Sequence, residues 1–224
     1  MPGLGYRFQP DERDKAHPLR MAARREVGEL PKSKYWWTRF PLDQGDTPMC
    51  VGFATRQFLS SSPVPDISGP GAEAIYTGAR RLDEWPGENY EGTSGRGAMK
   101  FLQSIGYIEE YQWTWDIKQA MEFILLHGTL LLGIKWTEDM FTPDGHGIIH
   151  PTGKDAGGHE VLVRGVDRTR GLFQILNSWG ADWGTNGRAF ILGEDLDKFL
   201  GSGDADLILP VQSPMHQKPK VPTP

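Results

Sequence analysis

The spacing of apolar residues changes near the middle of this chain, and that change constrains the fold most. Residues 50–60, 95–106 and 117–127 carry apolar side chains at helical spacing. After residue 130 the apolar runs are short and separated by glycine, aspartate and asparagine, at 130–136, 160–166, 172–178 and 188–193. We therefore predict an α+β fold with a helical lobe, an antiparallel β lobe and a functional cleft between them.

Composition separates both ends of the chain from this folded part. Residues 210–224 hold five prolines among polar residues, a composition that cannot build a core, and we predict a disordered tail there. Residues 1–29 are rich in charge and lack the apolar run of a signal peptide, so we predict an N-terminal arm. The folded domain is then 30–209, with a helical lobe at about 44–110 and a β-rich lobe at about 111–209.

Charge and hydropathy exclude two large classes of partner. The 224 residues carry a net charge of −5, and the basic residues are scattered, which argues against nucleic-acid binding. No apolar run approaches the roughly 20 residues that a membrane-spanning helix needs. We therefore expect a monomer without nucleic-acid or membrane partners.

The chain has one cysteine, Cys50, so it cannot form an internal disulfide. Cys50 follows a turn-rich stretch and begins the first helical pattern. A helix start favours the thiolate and lowers the pKa of a cysteine, which makes Cys50 a candidate nucleophile. The alternative is that Cys50 is a small buried apolar residue, as isolated cysteines often are.

A base for this nucleophile is found in the second half of the chain. His159 stands at the start of one predicted strand, and Asn177 stands at the end of the next. A hairpin between the two strands would bring His159 and Asn177 together. The asparagine oxygen would then fix the imidazole so that its other nitrogen faces the thiol, which completes a Cys, His, Asn triad.

These residues carry a resemblance to the papain-like cysteine peptidases. Gln44 precedes Cys50 by the six residues that separate the oxyanion glutamine from the nucleophile in that family. The stretches at 157–167 and 173–191 resemble its histidine and asparagine blocks. Further stretches resemble its compact bacterial and phage branch: Gly5-Tyr6-Arg7, Cys50-Val51-Gly52-Phe53-Ala54 and Glu91-Gly92-Thr93-Ser94.

The resemblance implies a papain-like two-lobed fold and a role for each matching residue. Cys50 is the expected nucleophile, His159 the base and then the acid, Asn177 its orienting group, and Gln44 a donor to the oxyanion. Contacts to the substrate are expected from Gly92, Thr93, Gly158 and Trp179. The expected partner is a peptide or protein substrate, no cofactor or metal is implied, and the expected location is the cytoplasm or a phage particle.

Departures from the family pattern limit what can be carried over. The second cysteine of the family's disulfide near the nucleophile is missing, and residues 1–29 are shorter than the long inhibitory prosegment of lysosomal relatives. His146 and His150 lie in a loop near Asp144 and Asp155, where we expect solvated side chains rather than a metal site. Near the C-terminal end we expect a solvated acidic face formed by Asp195, Asp197, Asp204 and Asp206.

Two other functions remain open from the sequence. The same triad could serve a thiol amidase, a cell-wall peptide hydrolase or a transpeptidase. A non-catalytic virion or binding module could also retain the fold. We expect a cysteine endopeptidase because the glutamine, cysteine, histidine and asparagine are all present.

Overall fold

The computed structural model describes residues 2–8, 12–20, 29–87 and 89–212. Within these ranges the α-helices are α1 (Cys50–Leu59), α2 (Ala72–Arg80), α3 (Gly95–Ser104), α4 (Ile117–Leu126) and α5 (Gly193–Ser202). The strands are β1 (Ser33–Tyr35), β2 (Ile108–Thr114), β3 (Leu130–Thr137), β4 (Asp155–Asp167), β5 (Leu172–Leu176), β6 (Arg188–Leu192) and β7 (Ala205–Gln212). Short 3-10 helices cover Glu12–Ala16 and Glu138–Phe141. None of the helices in these ranges is long and apolar enough to cross a membrane.

The strands form one antiparallel sheet with the order β2-β7-β3-β4-β5-β6, and β1 pairs with the far end of β4. Helices α1, α2 and α3 form the helical lobe, so the predicted α+β fold with two lobes is confirmed. The helical patterns at 50–60, 95–106 and 117–127 correspond to α1, α3 and α4. The sequence analysis predicted neither α2 nor α5; α5 is mostly polar and lies between two strands of the β-rich half.

The predicted tail begins too early. Strand β7 extends to Gln212. It pairs with β2 along this length, and Gln212 lies opposite Ile108. Pro210 fits in this strand because β3 pairs with β7 only as far as Ile208, which leaves one side of β7 open at the proline. Residues 210–212 therefore belong to the sheet, and residues 213–224 lie outside the described ranges.

Side chains alternate between two cores on the opposite faces of the sheet. On β4, Val161 and Val163 join a core that includes α4 and α5, whereas Leu162 joins the core beneath α1 and α3. The second core also contains Cys50, the first residue of α1. The long strand β4 therefore lies in contact with both halves of the molecule.

Candidate active site

The hairpin of β4 and β5 brings together the histidine and asparagine identified in the sequence. Leu162 pairs with Leu176, so the start of β4 lies beside the residues that follow β5. The His159 Nε2 atom is 2.8 Å from the Asn177 Oδ1 atom, and both residues are fully buried. Because an amide oxygen only accepts, Nε2 carries the proton of the neutral ring. Nδ1 has no hydrogen-bond partner within the described part of the chain and can accept a proton from a thiol.

Aromatic rings enclose this pair. The Trp179 ring stacks on His159 with centroids 4.6 Å apart, and Trp136 meets the same imidazole edge-on at 4.9 Å. Phe141 stacks on the other face of Trp179. Burial among these rings lowers the pKa of His159 to about 4, although the hydrogen bond to Asn177 acts in the opposite direction.

The thiol of Cys50 lies against the strand that carries His159. Cys50 is the first residue of α1, and its sulfur accepts a hydrogen bond from the backbone N–H of Glu160, the residue after His159. Burial nevertheless raises the pKa of Cys50 to about 12, and the nearby Glu160 carboxyl adds to the rise. In this conformation burial therefore favours the neutral thiol over the expected thiolate and the neutral imidazole over the imidazolium.

The N-terminal residues of the chain cause this burial. Residues 3–7, here called the cleft segment, run between the two walls of the cleft. The backbone N–H of Gly5 donates to the Gly158 carbonyl at 3.1 Å, and the Thr93 N–H donates to the Gly5 carbonyl at 2.9 Å. A Cβ atom on Gly5 would lie 2.0 Å from the Pro48 carbonyl oxygen, so glycine is required for this close approach. The prediction of an arm outside the folded domain is therefore wrong for residues 3–7.

The predicted oxyanion donor holds one end of the cleft segment. Gln44 Nε2 donates to the Gly3 carbonyl at 3.2 Å and to the Thr47 carbonyl at 2.7 Å. Its Oε1 atom accepts from the Ser178 hydroxyl at 2.6 Å, which fixes the orientation of the amide. Trp179 Nε1 also donates to the Gly3 carbonyl, at 3.3 Å. A carbonyl oxygen of the chain itself thus occupies donors that could hold the oxygen of a substrate.

The contacts of the cleft segment define the direction in which it crosses the cleft. In a hydrolase in which His159 protonates a leaving amine, the side of the cleft next to Trp179 would be the leaving-group side, and the side of Thr93 would be the acyl side. A substrate enters the acyl side before its scissile bond and the leaving-group side after it. In the cleft segment Gly3 lies near Trp179, and the later residue Arg7 donates to the Thr93 carbonyl at 2.9 Å. The segment therefore fills the cleft in the opposite direction to the one expected for a substrate of such a hydrolase.

An acidic cluster lies below the cleft on the acyl side. The Tyr6 hydroxyl donates to Asp206 Oδ2 at 2.7 Å, and the Glu160 carboxyl lies in the same region with one oxygen 3.5 Å from the Thr55 hydroxyl. Burial raises the pKa of Asp206 to about 7 and raises that of Glu160 well above its ordinary value. The sequence analysis did not single out Glu160, although an acidic residue directly before the apolar residues 161–163 was an available signal.

The prediction of a solvated acidic face is wrong for Asp206, which is only 6% exposed. The residue is buried because β7 lies inside the sheet, between β2 and β3. Asp195 and Asp204 instead form ion pairs near the surface, with Lys198 and Lys135. Asp204 and Asp206 are two residues apart, yet the first lies near the surface and the second is buried.

The loop that carries His146 and His150 contains a contact between a histidine and an aspartate. His150 Nε2 lies 2.8 Å from Asp144 Oδ2 on the surface, and the pKa of Asp144 falls to about 2 because of this contact and backbone N–H donors. In the part of the chain that the structure describes, no group of three or more His, Cys, Asp and Glu residues could hold a metal ion.

A thiol at a helix start, an imidazole fixed by an asparagine and an amide donor thus lie together beside the cleft of a two-lobed fold. The sequence model of the papain family cysteine proteases matches residues 76–195, more than half of the chain, and the protein belongs to this family. The match contains His159 and Asn177, whereas Cys50 and Gln44 precede it.

Solved structures extend the likeness to nearly the whole chain. Xylellain, a cysteine protease from Xylella fastidiosa, superposes with a TM-score of 0.75 and 20% identity over 95% of this chain and 97% of that one. The bromelain protease from Ananas comosus gives a TM-score of 0.59 and 16% identity over 82% and 100% of the two chains. At these identities the likeness establishes the fold, and the compact bacterial branch expected from the sequence fits xylellain.

Curated relatives match over a shorter stretch. The cathepsin B-like cysteine proteinase 6 of Caenorhabditis elegans is 32% identical over 74 residues, which is 32% of this chain and 20% of that protein. The cathepsin B-like cysteine proteinase 4 of the same organism is 29% identical over 73 residues, or 32% and 22% of the two chains. The matched stretch thus spans about a fifth of the length of these relatives.

Proposed function

We propose that this protein hydrolyses peptide bonds through an acyl-enzyme on Cys50. The observation that carries the proposal is the buried imidazole of His159, whose Nε2 is fixed by Asn177 while Nδ1 stays unpartnered among the described residues beside the strand that contacts the thiol. Membership of the papain family supports the same reaction.

The proposed reaction has two steps. His159 Nδ1 takes the proton of Cys50, the sulfur attacks the carbonyl carbon of the substrate, and His159 then gives that proton to the leaving amine. Water, deprotonated by the same imidazole, releases the acid from the thioester and restores the thiol. Gln44 Nε2 and the Cys50 backbone N–H donate to the oxyanion, and loss of one such donor costs about 3 to 4 kcal/mol of transition-state stabilisation.

The described conformation is the latent form of this enzyme. The cleft segment lies against Cys50 and keeps the thiol out of water, and burial favours the neutral form of both reacting groups. When the segment leaves the cleft, water and a substrate reach the thiol, and the helix start then favours the thiolate. Activity therefore requires displacement of residues 3–7.

The test uses the full chain with Tyr6→Ala, which removes the side chain that anchors the cleft segment, and the matched double variant Tyr6→Ala/Cys50→Ala. Both are assayed on a fluorogenic peptide library, and the products are identified by mass spectrometry. We expect cleavage of internal peptide bonds that is lost in the Cys50 variant. Cleavage that survives Cys50→Ala contradicts the mechanism, and a biological effect that persists without the thiol indicates the non-catalytic module.

A further inference from the structure

A groove with an exposed aromatic wall lies outside the cleft, where the chain leaves β1 and approaches Gln44. The groove has a volume of about 510 Å³ and is here called the Arg39 groove; its lining residues are Trp37, Thr38, Arg39, Phe40, Ile67 and Arg188. Three of the six exposed large apolar side chains in the described ranges line it, with Phe40 90% exposed, Ile67 59% and Trp37 56%. Exposed aromatic side chains that cluster beside arginines are typical of a surface that contacts another protein.

The polar groups of the Arg39 groove are donors that lack acceptors. The side chains of Arg39 and Arg188 have no hydrogen bond or ion pair among the described residues, and the Nε atom of Arg188 is buried. Thr38 is only 7% exposed, and its hydroxyl has no hydrogen-bond partner in the same part of the chain. A buried donor without an acceptor is costly. The groove therefore favours an occupant that brings acceptor oxygens.

The charge of the groove favours an anionic occupant. Burial and the nearby charge of Arg188 together lower the pKa of Arg164 to about 10. Burial also lowers the pKa of Arg56 on α1, where the charge of Arg39 acts in the same sense although Asp66 opposes it. The chain as a whole carries a net charge of −5, so this positive region is a local exception. An occupant with negative charge would relieve the repulsion between these guanidinium groups.

The Arg39 groove lies beside the active site but is separate from the cleft. Phe40 precedes Gln44 by four residues in the same loop. On the other side, the carbonyl of Gly187, the residue before Arg188, accepts a hydrogen bond from the Asn177 N–H at 2.9 Å. The groove is open in the conformation in which the cleft segment fills the cleft. A partner can therefore bind there without displacement of the cleft segment.

We propose that the Arg39 groove docks an acidic segment of a partner protein, with carboxylates against the two guanidinium groups and one large apolar side chain against the aromatic wall. A carboxylate supplies the acceptors that these groups lack, and arginine binds it through two parallel hydrogen bonds. Residues 21–28 and 213–224 of the chain hold more basic than acidic residues, so their charge does not complement the groove. The interaction is independent of the proposed function, because it needs neither the thiol nor an open cleft.

The experiment measures peptide binding by NMR to the full isotope-labelled chain with Cys50→Ala, so that no peptide is cleaved. The probes consist of glutamate and glycine with one central tryptophan, phenylalanine or leucine. Matched peptides carry lysine in place of glutamate, or glycine at the centre. We expect the resonances of the Arg188 Nε–H and the Trp37 indole N–H to shift. The best acidic apolar peptide should bind at least about tenfold more tightly than either matched peptide.

Two substitutions on the exposed wall test the location of this binding. Arg39→Glu should weaken binding of the best peptide at least about tenfold, and Phe40→Ser at least about threefold. The matched controls are Arg81→Glu, at an exposed arginine after α2, and Ile105→Ser, at an exposed apolar residue after α3. Both controls should leave the Kd unchanged. All four side chains are exposed, so circular dichroism should show the same fold in each variant.

Several results would overturn the proposal. These are the absence of shifts at the groove, equal binding of the lysine or glycine-centred peptides, and an affinity that Arg39→Glu leaves unchanged. A dimer in sedimentation velocity that Phe40→Ser returns to a monomer would also overturn it, because the occupant would then be a second copy of this chain. The cleavage assay on the Tyr6→Ala chain tests the proposed function separately, so failure of one proposal leaves the other standing.

Discussion

His159 and Glu160 are consecutive residues of β4 that face opposite sides of the sheet, and both are fully buried. The imidazole of His159 lies among the rings of Trp136 and Trp179 and has one hydrogen bond, to Asn177. The carboxyl of Glu160 lies in an acidic cluster with Asp206 on the side of the helical lobe.

Burial acts on both groups in the same sense, because it favours the neutral form of each. For His159 the neutral form is the base that the reaction needs, so burial in an aromatic enclosure prepares it to accept a proton. For Asp206 the neutral form is a protonated acid beside the hydroxyl of Tyr6, and for Glu160 it is a protonated acid beside the hydroxyl of Thr55. One face of β4 thus carries a buried imidazole, and the other carries a buried carboxyl beside a second one.

The largest expected effect is a loss of kcat that distinguishes the two faces of β4. In the Tyr6→Ala chain, His159→Ala should lower kcat at least about 10³-fold because it removes the only proposed base. Glu160→Gln, the matched change on the other face, should leave kcat within about threefold. The measurement is the steady-state rate on a cleaved library peptide. A loss of similar size in both variants would show that the acidic cluster takes part in the chemistry.

A smaller effect is expected from the partner of the imidazole. Asn177→Ala, in the same Tyr6→Ala chain, should lower kcat by about 10 to 100-fold with little change in KM, because the ring is still present but no longer fixed in orientation. Gln103→Ala is a matched control, since this exposed amide donates to the Glu109 carbonyl. If KM rises while kcat is kept, Asn177 contacts the substrate instead.

The sequence predicted the contacts of His159 better than those of Glu160. The histidine and asparagine are brought together by a local hairpin, whose strand pattern and turn are visible in one stretch of chain. The acidic cluster joins Tyr6, Glu160 and Asp206, which are separated by up to 200 positions. No local periodicity reports such a contact. Asp206 was assigned to the surface because acidic residues are mostly exposed, and the position of β7 inside the sheet overrides that tendency.

The cleft segment connects the two faces of β4, and its anchor is the side chain of Tyr6. Substitutions can remove this side chain completely or only its hydroxyl. Tyr6→Ala in the full chain should raise the rate of Cys50 alkylation by iodoacetamide at pH 7 at least tenfold, since exposure to water lowers the pKa of the thiol from about 12. Tyr6→Phe keeps the ring and should give a smaller rise. Tyr35→Ala, a change at a partly exposed tyrosine, should have no effect. Rapid alkylation of the unaltered chain would contradict the closed cleft.

The smallest expected effect is a pH dependence of stability that belongs to the acidic face. The pKa of Asp206 is raised to about 7 in the folded chain from an ordinary 3.8, so between these values the folded state binds more protons than the unfolded state. Its contribution is therefore fully present below about pH 4 and is lost as the pH rises to about 7. We expect a loss on the order of 1 kcal/mol, because local release of Tyr6 lets water reach the carboxylate before the whole chain unfolds.

The measurement is the free energy of unfolding in urea at pH 5 and pH 8, with Asp206→Asn as the variant that should lose this decline. Asp204→Asn is a control of opposite sign on a neighbouring residue. The ion pair with Lys135 lowers the pKa of Asp204, so its contribution is present above its ordinary pKa and is lost only as the pH falls through the lowered value. Its removal should leave the decline between pH 5 and pH 8 intact. A decline that Asp206→Asn does not reduce would show that Asp206 is ionised in the folded chain at both pH values, which would remove the contrast between the two faces of β4.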